Sequence, residues 1–138
     1  MVLAENQKIR ITSKAENIIL VERMIEDVCE VFNISEDFYG NILVAITEAV
    51  NNAIYHGNEA NPSKSIDIYF KSHSGYVSFI VKDEGKGFNF DNLPDPTNPE
   101  NIEKENGRGV FLMRNLADKV SFEDNGSKVV LDFKVTAN

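Results

Sequence analysis

The sequence predicts an α+β chain folded as a two-layer α/β sandwich, one sheet against three helices. Three observations carry that reading. Residues 15–33 and 35–56 place apolar side chains at three- and four-residue steps, the mark of amphipathic helices. Residues 64–83 and 119–135 each hold two alternating runs split by a glycine-bearing turn, the mark of antiparallel hairpins. A third helical stretch at 107–118 falls between the two hairpins.

In order, residues 8–13 (KIRITS) alternate in polarity and read as a strand. Val21, Met24, Ile25, Val28, Val31 and Phe32 then form the apolar stripe of the first helix. Ser35 suits an N-cap, with Glu36 and Asp37 in the first turn. The helix it opens should run to about His56, with Gly57 as a left-handed C-cap. Its stripe includes Phe38, Ile42, Leu43, Ile46, Ala49, Val50 and Ala53. Strands at 64–72 and 76–83 flank a turn with Gly75. Residues 91–106 hold three prolines and four asparagines, and a loop of that length in a small domain is usually functional. Gly107-Arg108-Gly109 should open the third helix, and Asn125-Gly126 should join the last two strands.

The 138 residues suit one domain, and 42% hydrophobic against 26% charged residues excludes wholesale disorder. The net charge of −8 argues against nonspecific binding to nucleic acid or anionic membrane, although a local basic patch stays compatible with it. Cys29 is the only cysteine, which excludes an internal disulfide and a cysteine-based zinc site. With no membrane-length apolar run and no signal-peptide core, the expectation is a cytoplasmic protein.

Three short constellations carry chemistry. Glu48 and Asn52 are four residues apart and share a helix face. Together they offer oxygens to Mg2+, or a carboxylate to take a proton; a solvated polar face is the plain alternative. Asp83-Glu84-Gly85-Lys86-Gly87 follows a strand directly. Its carboxylate can accept a hydrogen bond from an exocyclic amine such as that of adenine, and its glycines allow close backbone approach. An ordinary turn has the same composition. Gly107-Arg108-Gly109 offers helix-end N–H groups and a fixed charge to an anion, or is a glycine pair before a core helix. Neither a Walker A spacing nor a Rossmann glycine pattern after the first strand is present.

The ordered trio is far more specific than its members. EAVNNAIYHG (48–57) resembles the N box of the GHKL, or Bergerat, ATP-binding fold. DEGKGF (83–88) resembles its D-x-G-x-G box, and NGRGVFLMRNLAD (106–118) its lid-closing glycine box. The wording and the short lid are most similar to the RsbW-type anti-sigma factor serine kinases, over roughly residues 8–135. That resemblance implies a histidine kinase-like ATPase domain over 1–138, with one mixed, mostly antiparallel sheet and an ATP lid at about 91–107. It implies Glu48 as general base, Asn52 as Mg2+ ligand and Asp83 as the adenine-reading carboxylate, with Gly85 and Gly87 shaping the purine pocket. Gly107, Arg108 and Gly109 match the lid end near the phosphates, and Ser127 falls where relatives carry a threonine near adenine.

The implied activity is transfer of the ATP γ-phosphate to a serine of a STAS-type anti-anti-sigma antagonist, by a protein that also binds a sigma factor. No direct nucleic-acid or membrane partner is implied, and homodimerisation is compatible with the resemblance. One departure stands out: Glu105 occupies a position where sporulation-branch relatives carry an arginine that meets the γ-phosphate, leaving Lys104 or Arg108 as substitutes. It motivates a second reading, a non-catalytic, nucleotide-gated binding module. A histidine kinase catalytic domain fits less well, because only one helix precedes the N box.

Overall fold

The computed structural model describes residues 6–85 and 105–135. The described elements are β1 (Asn6–Thr12), α1 (Ile18–Val31), α2 (Glu36–Asn52), β2 (Ser65–His73), β3 (Tyr76–Lys82), α3 (Glu105–Leu116), β4 (Lys119–Glu123) and β5 (Lys128–Lys134). They form one five-stranded sheet of order β1-β2-β3-β5-β4. The expected element order holds. Lys86, Gly87, Lys104 and nearly all of the expected lid lie outside the described residues.

Every neighbouring pair in the sheet is antiparallel, which corrects the expectation of a mixed sheet. The reason is topological. β4 runs in the same direction as β3, but β5 folds back between them, so the two like-directed strands never pair.

The core lies between one sheet face and the helices. Val21, Met24, Ile25 and Val28 of α1 and Ile42, Ala45, Ile46, Ala49 and Val50 of α2 are buried. They meet the alternate strand residues Ile66, Ile68, Phe70, Phe79 and Leu131, all fully buried. Each such side chain contributes roughly 1.5–3 kcal/mol by leaving water. Phe70 packs against Phe32 and Phe79 with ring centroids 5.1 and 5.4 Å apart. Val31 departs from the expected stripe and is 46% exposed, because α1 ends at this residue and the chain reverses through a left-handed Asn33 (φ 54°). At the start of α2, Ser35 Oγ accepts from the Asp37 N–H at 3.2 Å, as a cap should.

Two turns are set by backbone sign. Gly75 joins β2 to β3 at φ 76°. Asp124, Asn125 and Gly126 are all left-handed before β5, where asparagine and glycine bear that conformation best. Among the described residues, no helix is long and apolar enough to cross a membrane.

Candidate functional site

The site is built where α2 ends. α2 does not continue as α-helix to His56; after Asn52 it widens into a π turn over Ala53–Gly57. The Asn58 N–H reaches the Ala53 carbonyl at 2.8 Å, and the Ala60 N–H reaches that of Ile54 at 2.6 Å. Gly57 is therefore not the expected left-handed cap. The reversal falls to Glu59 and Ala60, at φ 53° and 55°. Such single-residue widenings of a helix recur at functional sites.

Gly57 is required for a different reason. A methyl group there would overlap the carboxylate of Asp83, and one on Gly85 would overlap the Gly57 carbonyl. The three residues interlock with no room for a Cβ. Asp83, at the end of β3, is 9% exposed. Its N–H donates to the Ser127 carbonyl at 2.9 Å, and its Oδ1 accepts from the Gly85 N–H at 2.7 Å. Burial pushes the Asp83 carboxyl up to about 6, against the lowering effects of the Gly85 N–H and the Lys64 charge. The carboxylate is thus largely buried and held by the Gly85 N–H, with a polar cavity of about 260 Å³ lined by Arg10, Asp67, Lys82 and Glu84 bordering it.

Asn58 is the residue that the sequence reading missed. It is fully buried. Its Nδ2 donates to Ser13 Oγ at 2.7 Å and to the Ser65 carbonyl at 3.0 Å. Its Oδ1 accepts from the Glu84 N–H at 2.8 Å, which ties the segment after Asp83 to β1 and β2. The only sequence signal was an asparagine directly after the N-box glycine, and asparagines suit turns anyway.

At the other end, Glu48 and Asn52 face α3. That helix starts at Glu105, earlier than expected, so Gly107, Arg108 and Gly109 lie within its first turns rather than before it. Gly109 comes closest: a methyl group on it would stand 3.1 Å from Glu48 Oε2 and 3.3 Å from Asn52 Oδ1. Glu48, Asn52, His56 and Arg108 share a polar cavity of about 160 Å³ with Asn51 and Tyr55. Among the described residues, Asn52 Nδ2 is buried without a hydrogen-bond partner. A buried unpaired amide costs roughly 1–3 kcal/mol, so this side chain is tolerated here without protein help. Its amide oxygen beside a carboxylate is a fitting donor set for Mg2+, which takes one or two protein oxygens and completes its shell with phosphate and water. Among the described residues, no cluster of three histidine, cysteine or carboxylate side chains offers a self-sufficient metal cage.

Between the two ends, Ala49, Asn52, Gly57, Asp83, Met113 and Phe122 line a cavity that Ser127 also borders, of only about 10 Å³. That is room for about one water. A purine can enter only if this wall opens, and Met113 and Phe122, on α3 and β4, are its largest side chains. The Arg114 guanidinium stacks over the Phe122 ring at 5.5 Å. The Ser127 hydroxyl donates to the Asp124 carbonyl at 2.8 Å, which leaves its oxygen lone pairs to accept.

The structure thus brings Glu48, Asn52, Arg108 and Gly109 together at one end and Asp83, Gly85 and Ser127 at the other, joined through Asn52. Gly87 lies outside the described residues.

A layer of helices over an antiparallel sheet, with an N-box helix end facing a buried carboxylate and a glycine-rich helix start, defines a nucleotide-binding α+β domain. The family profile described as the histidine kinase-like ATPase domain matches residues 11–133, and the chain belongs to that family. It is similar to the serine-protein kinase RsbW of Oceanobacillus iheyensis, 25% identical over 136 residues, covering 94% of this chain and 86% of the relative. It is also similar to RsbW of Staphylococcus aureus, 28% identical over 127 residues, covering 86% and 80%. Among solved structures, the crystal structure of the RsbU and RsbW domains of Rv1364c from Mycobacterium tuberculosis shares the fold. The TM-score is 0.64 at 14% identity, over 96% of this chain and 33% of that longer one.

Proposed function

We propose that the protein is an ATP- and Mg2+-dependent serine protein kinase acting as an anti-sigma factor. Its substrate is a serine on a STAS-type anti-anti-sigma antagonist. The observation that carries the reading is the approach of Glu48 and Asn52 to Gly109, at the start of a helix whose Arg108 shares their cavity.

In this reading the serine hydroxyl oxygen attacks the γ-phosphorus while the bond to the β,γ-bridging oxygen breaks and ADP leaves. Glu48 takes the hydroxyl proton. Mg2+, held through Asn52, would neutralise charge on the β- and γ-phosphates. Arg108 and the first N–H groups of α3 add positive potential on the same side. Asp83 accepts from the adenine amine, its carboxylate held in place by the interlock with Gly57 and Gly85. Ser127 borders the same pocket.

Glu48→Gln is the test. Incubated with labelled ATP, Mg2+ and a STAS-type antagonist, the wild type should label a serine. The variant should be slower by about 10²- to 10⁴-fold, the worth of a positioned base, and bind ATP within a few-fold of wild type. An unlabelled antagonist, under conditions where ATP binds, removes the kinase reading.

A second reading is a nucleotide-gated binding module without transfer. Glu105, in place of the arginine of relatives, favours it. Partner affinity would then differ between ATP, ADP and no nucleotide while turnover stays absent.

A further inference from the structure

The three helices cover one face of the sheet; the other face carries an unusual distribution of charge. Strand register lays its outward side chains in rows that run across the sheet, two of them through all five strands. One row runs Arg10, Asp67, Lys82, Lys128, Glu123. The next runs Lys8, Tyr69, Ile80, Val130, Ser121. A third places Lys71, Ser78, Asp132 and Lys119 side by side. A fourth, shorter row holds His73, Tyr76 and Lys134. Burial confirms the orientation: along β2 and β5 these residues are half-buried or exposed, and each strand neighbour between Ile66 and Phe70, or Val129 and Phe133, is buried.

Among the described residues, seven basic side chains stand on this face against three acidic ones, Asp67, Glu123 and Asp132. A protein of net charge −8 has concentrated its positive charge on one side. Some of it is compensated locally. Arg10 Nε donates to Asp67 Oδ1 at 2.7 Å and holds that carboxyl below the usual range, and Lys128 pairs with Glu123 at 3.3 Å. Glu84 closes one rim by accepting from the Ser65 N–H. The excess is still positive, and it flanks a short apolar row of Tyr69, Ile80 and Val130.

We propose that this open sheet face docks a protein segment that carries carboxylates around two or three apolar side chains. The apolar row supplies burial and the lysine rows supply selection and steering. Five strands of about seven residues span about 500 Å², less than the roughly 800 Å² per partner of a standard stable interface, so the complex is a transient one. A single-stranded nucleic acid fits less well, because it needs free aromatic faces for stacking. Tyr69 is half-buried, with Lys8 Nζ 5.3 Å over its ring. The Tyr76 ring is already stacked on His73, centroids 5.8 Å apart. The rest of the described residues carry more acidic than basic side chains, which repels a long polyanion.

The test uses the full chain, labelled for amide NMR and titrated with a short synthetic peptide of glutamates interleaved with leucine, isoleucine and valine. Parallel titrations use its glutamine counterpart and a single-stranded oligothymidylate. Shifts should cluster on β2, β3 and β5 around Tyr69, Ile80 and Val130, weaken with added salt, and be lost with the glutamine peptide. Lys71→Glu with Lys82→Glu should weaken binding at least about tenfold. If that pair does not fold by circular dichroism, Lys71→Gln with Lys82→Gln gives the same comparison with a smaller loss. Shifts elsewhere, affinity indifferent to the lysine changes, tighter oligothymidylate binding, or self-association through these strands would each overturn the proposal.

Discussion

Where Asp83 faces α2 and α3 the protein is closed: three residues meet without space for a methyl group, Asn58 ties the strand end to β1 and β2, and the cavity there holds about 10 Å³, although a polar cavity of about 260 Å³ with Arg10, Asp67, Lys82 and Glu84 also borders Asp83. Around Glu48 it is open and polar, with a cavity of about 160 Å³ and an amide nitrogen that none of the described residues partners. The contrast teaches where each half of a nucleotide would get its recognition. The closed end is shaped by the fold itself, so its residues answer to stability as well as to ligand. The open end is lined by polar side chains around a larger cavity, so a small added group there should cost the fold less than at the closed end.

The same substitution at both ends breaks that contrast most sharply. Gly85→Ala drives a Cβ into the Gly57 carbonyl, a backbone atom that cannot swing aside. It should destabilise the protein by about 3–4 kcal/mol and remove nucleotide binding, read by urea unfolding and calorimetric titration. A loss of under about 1 kcal/mol would mean that the interlock is looser than described.

Asp83 gives the next largest effect, through pH. Its folded carboxyl lies at about 6 against an ordinary 3.8, chiefly because it is buried. Between those values the folded chain holds a proton that the unfolded chain has released. Stability therefore falls as pH rises through the window, and above it the ionised carboxylate costs up to about 3 kcal/mol. Asp83→Asn should flatten that slope and raise stability at pH 7 by about 2 kcal/mol while weakening nucleotide binding. Unfolding curves from pH 4 to 7 read the first, and titration with ATP the second. A variant less stable at pH 7 would contradict the buried-charge account.

Gly109→Ala should have the smallest effect on the fold. Its Cβ would meet the ends of Glu48 and Asn52, flexible side chains that can give way, and alanine favours helix by up to about 1 kcal/mol. Stability should stay within about 1 kcal/mol of wild type while phosphoryl transfer drops about tenfold. An unchanged rate of transfer would separate Gly109 from the chemistry.

The sequence made the hairpins, the helical stripes and the Ser35 cap legible, because each depends on neighbours a few residues apart. Glu48, Asn52 and Asp83 were legible for the same local reason, helped by the order of their motifs. What it hid depends on distance. The π turn rests on bonds five and six residues long at a helix end, where an α-helix and a left-handed glycine were the simpler reading. Gly57 looked like a cap because nothing local says that Asp83, 26 positions away, presses on it. Asn58 looked like a turn residue because Ser13 and Glu84 are far off in the chain. The all-antiparallel sheet turned on where β5 inserts, which no local pattern encodes.

The π turn also makes spacing itself a working part. Deleting one residue between Ala53 and Gly57 would restore ordinary winding and, because four α-helical residues turn through about as much as five π-helical ones, would leave Asn58 on the same side of the axis and still within reach of the Ala53 carbonyl. Glu48 and Asn52, upstream, would keep their places. The extra residue is taken up between Ala53 and Asn58, where Tyr55 and His56 border the polar cavity, so trimming the count by one would re-aim that wall while the Asn58 latch held.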